Sequence, residues 1–119
     1  MIRSVLRSKI HRACVTGADL NYEGSITIDQ SLLDASGIVK YEKVHVLNIA
    51  NGERAETYVI PGDRGKGDII LNGALARLAQ VGDPVIILSY GLIEEGEIHT
   101  VKPVVVFVDE NNRIVRIQS

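Results

Sequence analysis

Tyr22-Glu23-Gly24-Ser25-Ile26 is the stretch on which the reading of this sequence turns. Glycine has no Cβ, so Gly24 can take backbone conformations closed to other residues and leaves its carbonyl open to approach. The hydroxyl of Ser25 can attack that carbonyl and convert the amide to an ester, provided the surrounding structure strains or polarises the peptide. Elimination from the ester would free Gly24 as a new C-terminus and leave dehydroalanine at position 25. Loss of ammonia then gives an N-terminal ketone, an electrophile that no ordinary side chain supplies. Alone, a Gly-Ser pair reads as a turn between two strands; the rest of the chain decides between the readings.

Outward from this stretch, composition sets the bounds. A length of 119 residues fits a single domain, 1–119, with a modest core. Hydrophobic residues make up 45% but aromatics only 4%, so the core is aliphatic, and Ile, Val and Leu together with 11 Gly favour a mainly β chain. A net charge of −2 without a basic block excludes a nucleic-acid binder, which needs a cationic face to displace phosphate counterions. No apolar run approaches a membrane span, and no continuous apolar segment follows Arg3, Arg7 and Lys9 as a signal peptide would require. Cys14 is the only cysteine, which excludes an internal disulfide, and is expected to be a small buried hydrophobe on a strand. His11, His45 and His99 share no ligand spacing, so no metal site is expected. A cytoplasmic location fits these features.

Residues 2–16 read as a strand or two, with Lys9, His11 and Ala13 on one face and Ile10, Arg12 and Cys14 on the other. Thr16-Gly17-Ala18-Asp19 reads as a turn, and Ile26–Ile28 as extended chain. Asp29 is an N-cap and Gly37 a stop for a short helix through Leu32, Leu33 and Ala35. Lys43–Ile49 and Arg54–Ile60 form a hairpin about Asn51-Gly52, the second strand ending at Pro61-Gly62. Alternation sets Arg54, Glu56 and Tyr58 on one face of that strand and Ala55, Thr57 and Val59 on the other. Residues 62–67 are a charged glycine-rich loop without the lysine and hydroxyl of a P-loop. Asp68–Leu71 is a strand, and Asn72 caps a second short helix to about Gln80, leaving the amides of Gly73, Ala74 and Leu75 as donors for an anion. Pro84–Tyr90 reads as a strand buried on both faces, and Val101–Val108 with Arg113–Ile117 as a final hairpin.

Assembled in order, these pieces resemble the pyruvoyl-dependent aspartate 1-decarboxylase family. The matching residues are Lys9-Ile10-His11-Arg12, Val15-Thr16, Ala18 to Ser25, Ile28-Asp29, Asn51-Gly52, Arg54, Thr57-Tyr58, Arg64-Gly65 and Asn72-Gly73-Ala74, and the resemblance fades after about Tyr90. It implies a double-psi β-barrel with two short helices, a homotetramer, and active sites between neighbouring subunits. It further implies autocatalytic cleavage between Gly24 and Ser25 into a 1–24 β chain and a 25–119 α chain. Ser25 would become the pyruvoyl cofactor, the ketone that condenses with the substrate amine. The implied reaction removes the α-carboxylate of L-aspartate as CO2 and yields β-alanine for pantothenate, hence coenzyme A, biosynthesis. By the same resemblance Tyr58 is the proton donor, and Lys9 and Arg54 hold substrate carboxylates. Thr57, Asn72, Gly73, Ala74 and Leu75 contact substrate. Thr57 also assists cleavage, with His11 and Tyr22 nearby.

Two features depart from a simple reading. Thr57 lies on the opposite strand face from Arg54 and Tyr58, which requires either a bulge or contributions from different subunits. Leu75 stands where the family commonly has Ala, which matters for substrate choice only if its side chain faces the pocket. The alternatives are the same machinery acting on another acidic amino acid such as glutamate, and an unprocessed β-barrel that only binds or assembles. The residues leave open whether cleavage is autonomous or takes a maturation helper protein.

Overall fold

Ile69 and Thr16 exchange backbone and side-chain hydrogen bonds at the point where the sheet closes on itself. The Thr16 amide donates to the Ile69 carbonyl at 2.8 Å, and the Ile69 amide donates to Thr16 Oγ1 at 2.9 Å. The computed structural model describes all 119 residues, and nine strands run through it: β1 Ile2–Cys14, β2 Gly17–Asp19, β3 Ser25–Asp29, β4 Lys43–Asn48, β5 Arg54–Gly62, β6 Ile69–Asn72, β7 Pro84–Glu94, β8 Val104–Val108 and β9 Ile114–Gln118. They hydrogen-bond in the order β2-β6-β3-β5-β4-β7-β1-β8-β9. Because β1 and β2 are successive parts of one extended run, the first and seventh places in that order meet. The result is a mainly β, mixed-sheet barrel with short helices, as the double-psi β-barrel reading expects. β8 and β9 continue outward from β1.

Inside lies an aliphatic core built on Ile10, Ile26, Ile28, Val44, Val59, Ile69, Leu71 and Ile87, with Leu32 and Leu33 of helix α1 (Gln30–Ser36) packed against it. The local signals for α1 hold. Asp29 Oδ1 accepts from the Ser31 amide at 2.7 Å, and Gly37, at φ +79°, donates to the Leu33 carbonyl at 2.8 Å. Gly52 likewise takes a positive φ of 76° in the hairpin between β4 and β5.

Several expectations need correction. Gly17–Asp19 is strand β2, paired in parallel with β6, because barrel closure gives its backbone a partner that local turn chemistry cannot foresee. β5 runs through Pro61-Gly62 rather than ending before them. Its register with β4 ends at Tyr58, and Val59 makes the last bonds on that side, to Tyr41 and Glu42, so Pro61 pairs only with β3, where proline is tolerated. Arg12 sits at φ +65° in an irregularity between Ile10 and Ala13, which turns Ala13 to the interior beside Ile10 instead of outward with Lys9. Cys14 is half-buried rather than buried. β7 extends to Glu94, and its residues alternate, with Val85, Ile87 and Ser89 buried and Ile86 and Leu88 half-buried. Two 3₁₀ helices join α1, at Gly73–Leu78 and Glu95–Thr100; the second brings the helical elements to three, one more than the sequence suggested.

The carboxylate of Asp29, 2% exposed, ties the end of β3 to the glycine-rich loop. Beyond the Ser31 amide it accepts from Gly65 N at 3.0 Å and Gly67 N at 2.7 Å. Burial alone would push its pKa up, but these amides hold it below the ordinary value of 3.8. A depressed carboxylate contributes stability above its unfolded pKa and loses it as pH falls through the lower folded value. Asp29→Asn, which cannot accept at both positions, is therefore expected to cost about 1–3 kcal/mol at neutral pH. Thermal melts from pH 7 to 2.5 should show the gap between the two proteins narrowing only in the acid range.

Candidate active site

Ser25 opens β3, flanked by β6 and followed by the parallel pairing of β3 with β5, and it is wholly buried. Directly opposite, Asn72 ends β6 and donates from Nδ2 to Ser25 Oγ at 2.8 Å and to Thr27 Oγ1 at 3.0 Å. Asn72 is thus not the side-chain cap that the sequence suggested; its amide serves β3, and the segment after it is a 3₁₀ helix ending at Leu78, not a helix to Gln80. Gly73 adopts φ +69°, and its bare Cα leaves room for the backbone of Gly24. A Cβ at position 73 would lie 2.9 Å from both Cα and N of Gly24 and 3.0 Å from the Tyr22 carbonyl oxygen. On its other side Gly24 is open, with nothing within 4 Å of where its own Cβ would stand.

That open side is a cleft of about 430 Å³ bordered by Gly24, Thr57, Asn72, Ala74 and Leu75, with Glu56 and Arg77 also lining it. Five predicted site residues thus come together. Leu75 also belongs to the hydrophobic core and is 8% exposed, so most of its side chain is spent on packing.

Lys9, His11, Arg54 and Tyr58 are not among the residues of that cleft. They lie on the outer face of the wall β5-β4-β7-β1. Cross-strand pairing runs Lys9–Leu88–His45–Glu56 along one row and Lys43–Tyr58 along another. Arg54 Nη2 lies 3.4 Å from His45 Nδ1 and 3.4 Å from Tyr90 Oη, and the His45 and Tyr90 rings meet edge-on at 5.0 Å. Tyr58 stands near Tyr41, ring centres 6.4 Å apart. His11 packs edge-on against Phe107; burial, then the charges of Lys9 and Arg12, lower its pKa, which favours the neutral imidazole. Tyr22 is 53% exposed. The β4–β5 register is unbroken from Arg54 to Tyr58. No bulge therefore brings Thr57 round to the face of Arg54 and Tyr58.

Sequence reasoning missed Thr27, His45 and Tyr90. Thr27 was within reach, since it lies two residues from Ser25 on the same strand face. His45 and Tyr90 reach Arg54 only through strand registers that no local pattern encodes.

The aspartate decarboxylase family model matches residues 1–115. The chain belongs to the aspartate decarboxylase family. Among its relatives, the aspartate 1-decarboxylase of Carboxydothermus hydrogenoformans is 62% identical over 119 residues, covering 100% of this chain and 94% of the relative. That of Caldicellulosiruptor saccharolyticus is 60% identical over 119 residues, covering 100% and 93%. That of Thermoanaerobacter pseudethanolicus is 56% identical over 115 residues, covering 97% and 98%. Within this family framework, no helix of the chain is long and apolar enough to cross a membrane.

Gly73→Ala tests the close approach of the two backbone segments. The added methyl meets backbone rather than a flexible side chain, and the positive φ alone costs about 1–2 kcal/mol for a residue with a Cβ. The melting temperature is expected to fall by several degrees; an unchanged melt would mean that the segments part freely.

Proposed function

We propose that the chain cuts itself between Gly24 and Ser25 and, as an assembly of identical subunits, decarboxylates L-aspartate at the α-carboxylate to β-alanine and CO2. One observation carries the reading: a fully buried serine hydroxyl, held by Asn72, directly follows a glycine that lines an open cleft and has nothing within 4 Å of where its own Cβ would stand.

In the cleavage, Ser25 Oγ bonds to the Gly24 carbonyl carbon, the amide C–N bond breaks, and the Ser25 nitrogen takes up a proton. Loss of the Cα proton of residue 25 then breaks Cβ–Oγ, so that Oγ leaves as a carboxylate oxygen of Gly24. The Asn72 N–H at Oγ opposes the charge that gathers there. Thr57 is the hydroxyl that lines the cleft beside Gly24, and it assists the acyl shift. Hydrolysis of the dehydroalanine, one water in and one ammonia out, completes conversion to a pyruvoyl group.

The buried start of β3 fits such a group, since Ser25 and Asn72 already face one another there. When formed, it would supply a ketone to which the substrate amine binds and into which the electrons left by CO2 can spread. The residues of the chain do the rest. Lys9 and Arg54 hold the two carboxylates of aspartate as charge-assisted partners. Tyr58 carries the proton that replaces CO2 on the substrate carbon. Ala74 and Leu75 shape the wall of the cleft, with Leu75 committed mainly to the core, and Gly73 gives the turn that places them.

The division of these residues between a cleft and an outer wall, with a regular β5 between them, supports a site made where the wall of one subunit meets the cleft of another. A homotetramer is the assembly proposed, with the pathway to pantothenate as its setting. Ser25→Ala is expected to remain one intact, inactive chain by denatured mass. Wild type should give pieces 1–24 and 25–119, the larger lighter by one ammonia than simple hydrolysis leaves it. Tyr58→Phe is expected to cleave normally but lose at least about a hundredfold in decarboxylation. Co-expressed Ser25→Ala and Tyr58→Phe chains should recover roughly a quarter of wild-type activity if each site draws on two subunits. No recovery, with mixed assemblies demonstrated, would place the whole site in one chain.

A further inference from the structure

We infer that Thr27 is a positioning residue for self-cleavage, acting on Ser25 through the carboxamide of Asn72. The inference rests on the proposed cleavage and adds a residue to which that reading assigns nothing.

The geometry forms a relay of contacts between two strands, β3 and β6. Ser25 and Thr27 are two residues apart on β3 and share a strand face, while Ile26 and Ile28 fill the core on the other. Asn72 sits opposite Ser25 and diagonal to Thr27, whose backbone partner is Ile70. Its Nδ2 carries two hydrogens, and the structure gives it two acceptors, Ser25 Oγ at 2.8 Å and Thr27 Oγ1 at 3.0 Å. One acceptor would leave the amide free to swing about its Cβ–Cγ bond, a soft torsion. Two acceptors on the same nitrogen fix its plane, and with it the direction of the bond to Oγ.

Thr27 is itself held. Its Cγ2 methyl lies 3.1 Å from where a Cβ at Gly62 would stand, so the absence of a side chain at 62 makes room for the methyl. Gly62 is next to Asp29, two residues along the parallel register of β3 and β5. The methyl therefore sits against bare backbone, and a β-branched side chain with its methyl so placed has little rotamer freedom left for its hydroxyl.

The chemistry gives the relay a purpose. Oγ must lose its proton on attack and later depart bearing carboxylate charge, and a donor aimed at Oγ favours both events. Fixing that donor beforehand removes reorganisation from the barrier. Once cleavage is complete residue 25 no longer bears Oγ, so Thr27 matters to formation of the active group more than to turnover.

The test compares cleavage rates of freshly purified full-length chains, followed by denatured mass, with melting temperatures measured on the same samples. Thr27→Val keeps the shape and removes the acceptor; cleavage is expected to be roughly five- to tenfold slower, the factor one neutral hydrogen bond carries. Thr27→Ser restores the hydroxyl and should recover most of the rate, which a purely structural loss would not allow. Gly62→Ala should slow cleavage with Thr27 intact, by displacing its methyl. Fully processed Thr27→Val should turn over aspartate at close to the wild-type rate. Wild-type cleavage rates in Thr27→Val would overturn the inference while leaving self-cleavage standing, as would equal slowing in Thr27→Val and Thr27→Ser. A wild-type chain that never cleaves at Gly24–Ser25 would overturn both.

Discussion

Closure of the barrel at Thr16 and Ile69 is the constraint on which the other features depend. It requires the run from Ile2 to Asp19 to serve three neighbours, β7 and β8 along β1 and then β6 along β2. Once β6 is fixed by that closure, its last residue, Asn72, comes to rest opposite Ser25. The chain then leaves β6 through Gly73 directly against Gly24. Contacts within the stretch 22–26 do not create this arrangement. It follows from a hydrogen-bond ladder whose other members are ordinary sheet residues.

Much of the fold could be read from residues whose signals are local. Asp29 and Gly37 bound α1 because capping needs only side-chain chemistry within one turn, and Asn51-Gly52 marks the β4–β5 hairpin for the same reason. What escaped reading depends on partners distant in sequence. Gly17–Asp19 looks like a turn until β6 is known to lie beside it. Ala13 looks outward until the irregularity at Arg12 is known. Asn72 looks like a helix cap until Ser25 and Thr27 claim its amide. In each case a long-range hydrogen bond overrode a sound local preference.

The candidate site divides along the same line. Gly24, Thr57, Asn72, Ala74 and Leu75 gather at one cleft. Lys9, Arg54 and Tyr58 face outward from the wall, with Arg54 steadied by His45 and Tyr90. Alternation along β5 signalled this separation, and the unbroken register with β4 removes the bulge that could have undone it. Exposed large apolar residues on the outside of the fold, among them Tyr41, Tyr58, Tyr90 and Leu92, give that wall a character suited to covering by another surface.

The position of the Gly24–Ser25 bond also governs what kind of object a cut molecule is. Residues 20–24 are exposed, whereas Ser25 and Ile26 are buried, so the proposed scission would fall at the boundary between exposed chain and sheet. Both pieces would share one body: β1 and β2 would belong to the shorter piece, yet they are staves of the same barrel as β3 to β7, and Ile10, Ala13 and Val15 sit in the common core. Neither piece could leave without opening the sheet along three seams, β1–β7, β1–β8 and β2–β6. The nicked barrel is therefore easy to hold and hard to rebuild. Unfolding converts one body into two, and its return becomes an encounter between chains, dependent on concentration in a way that folding of the uncut chain is not.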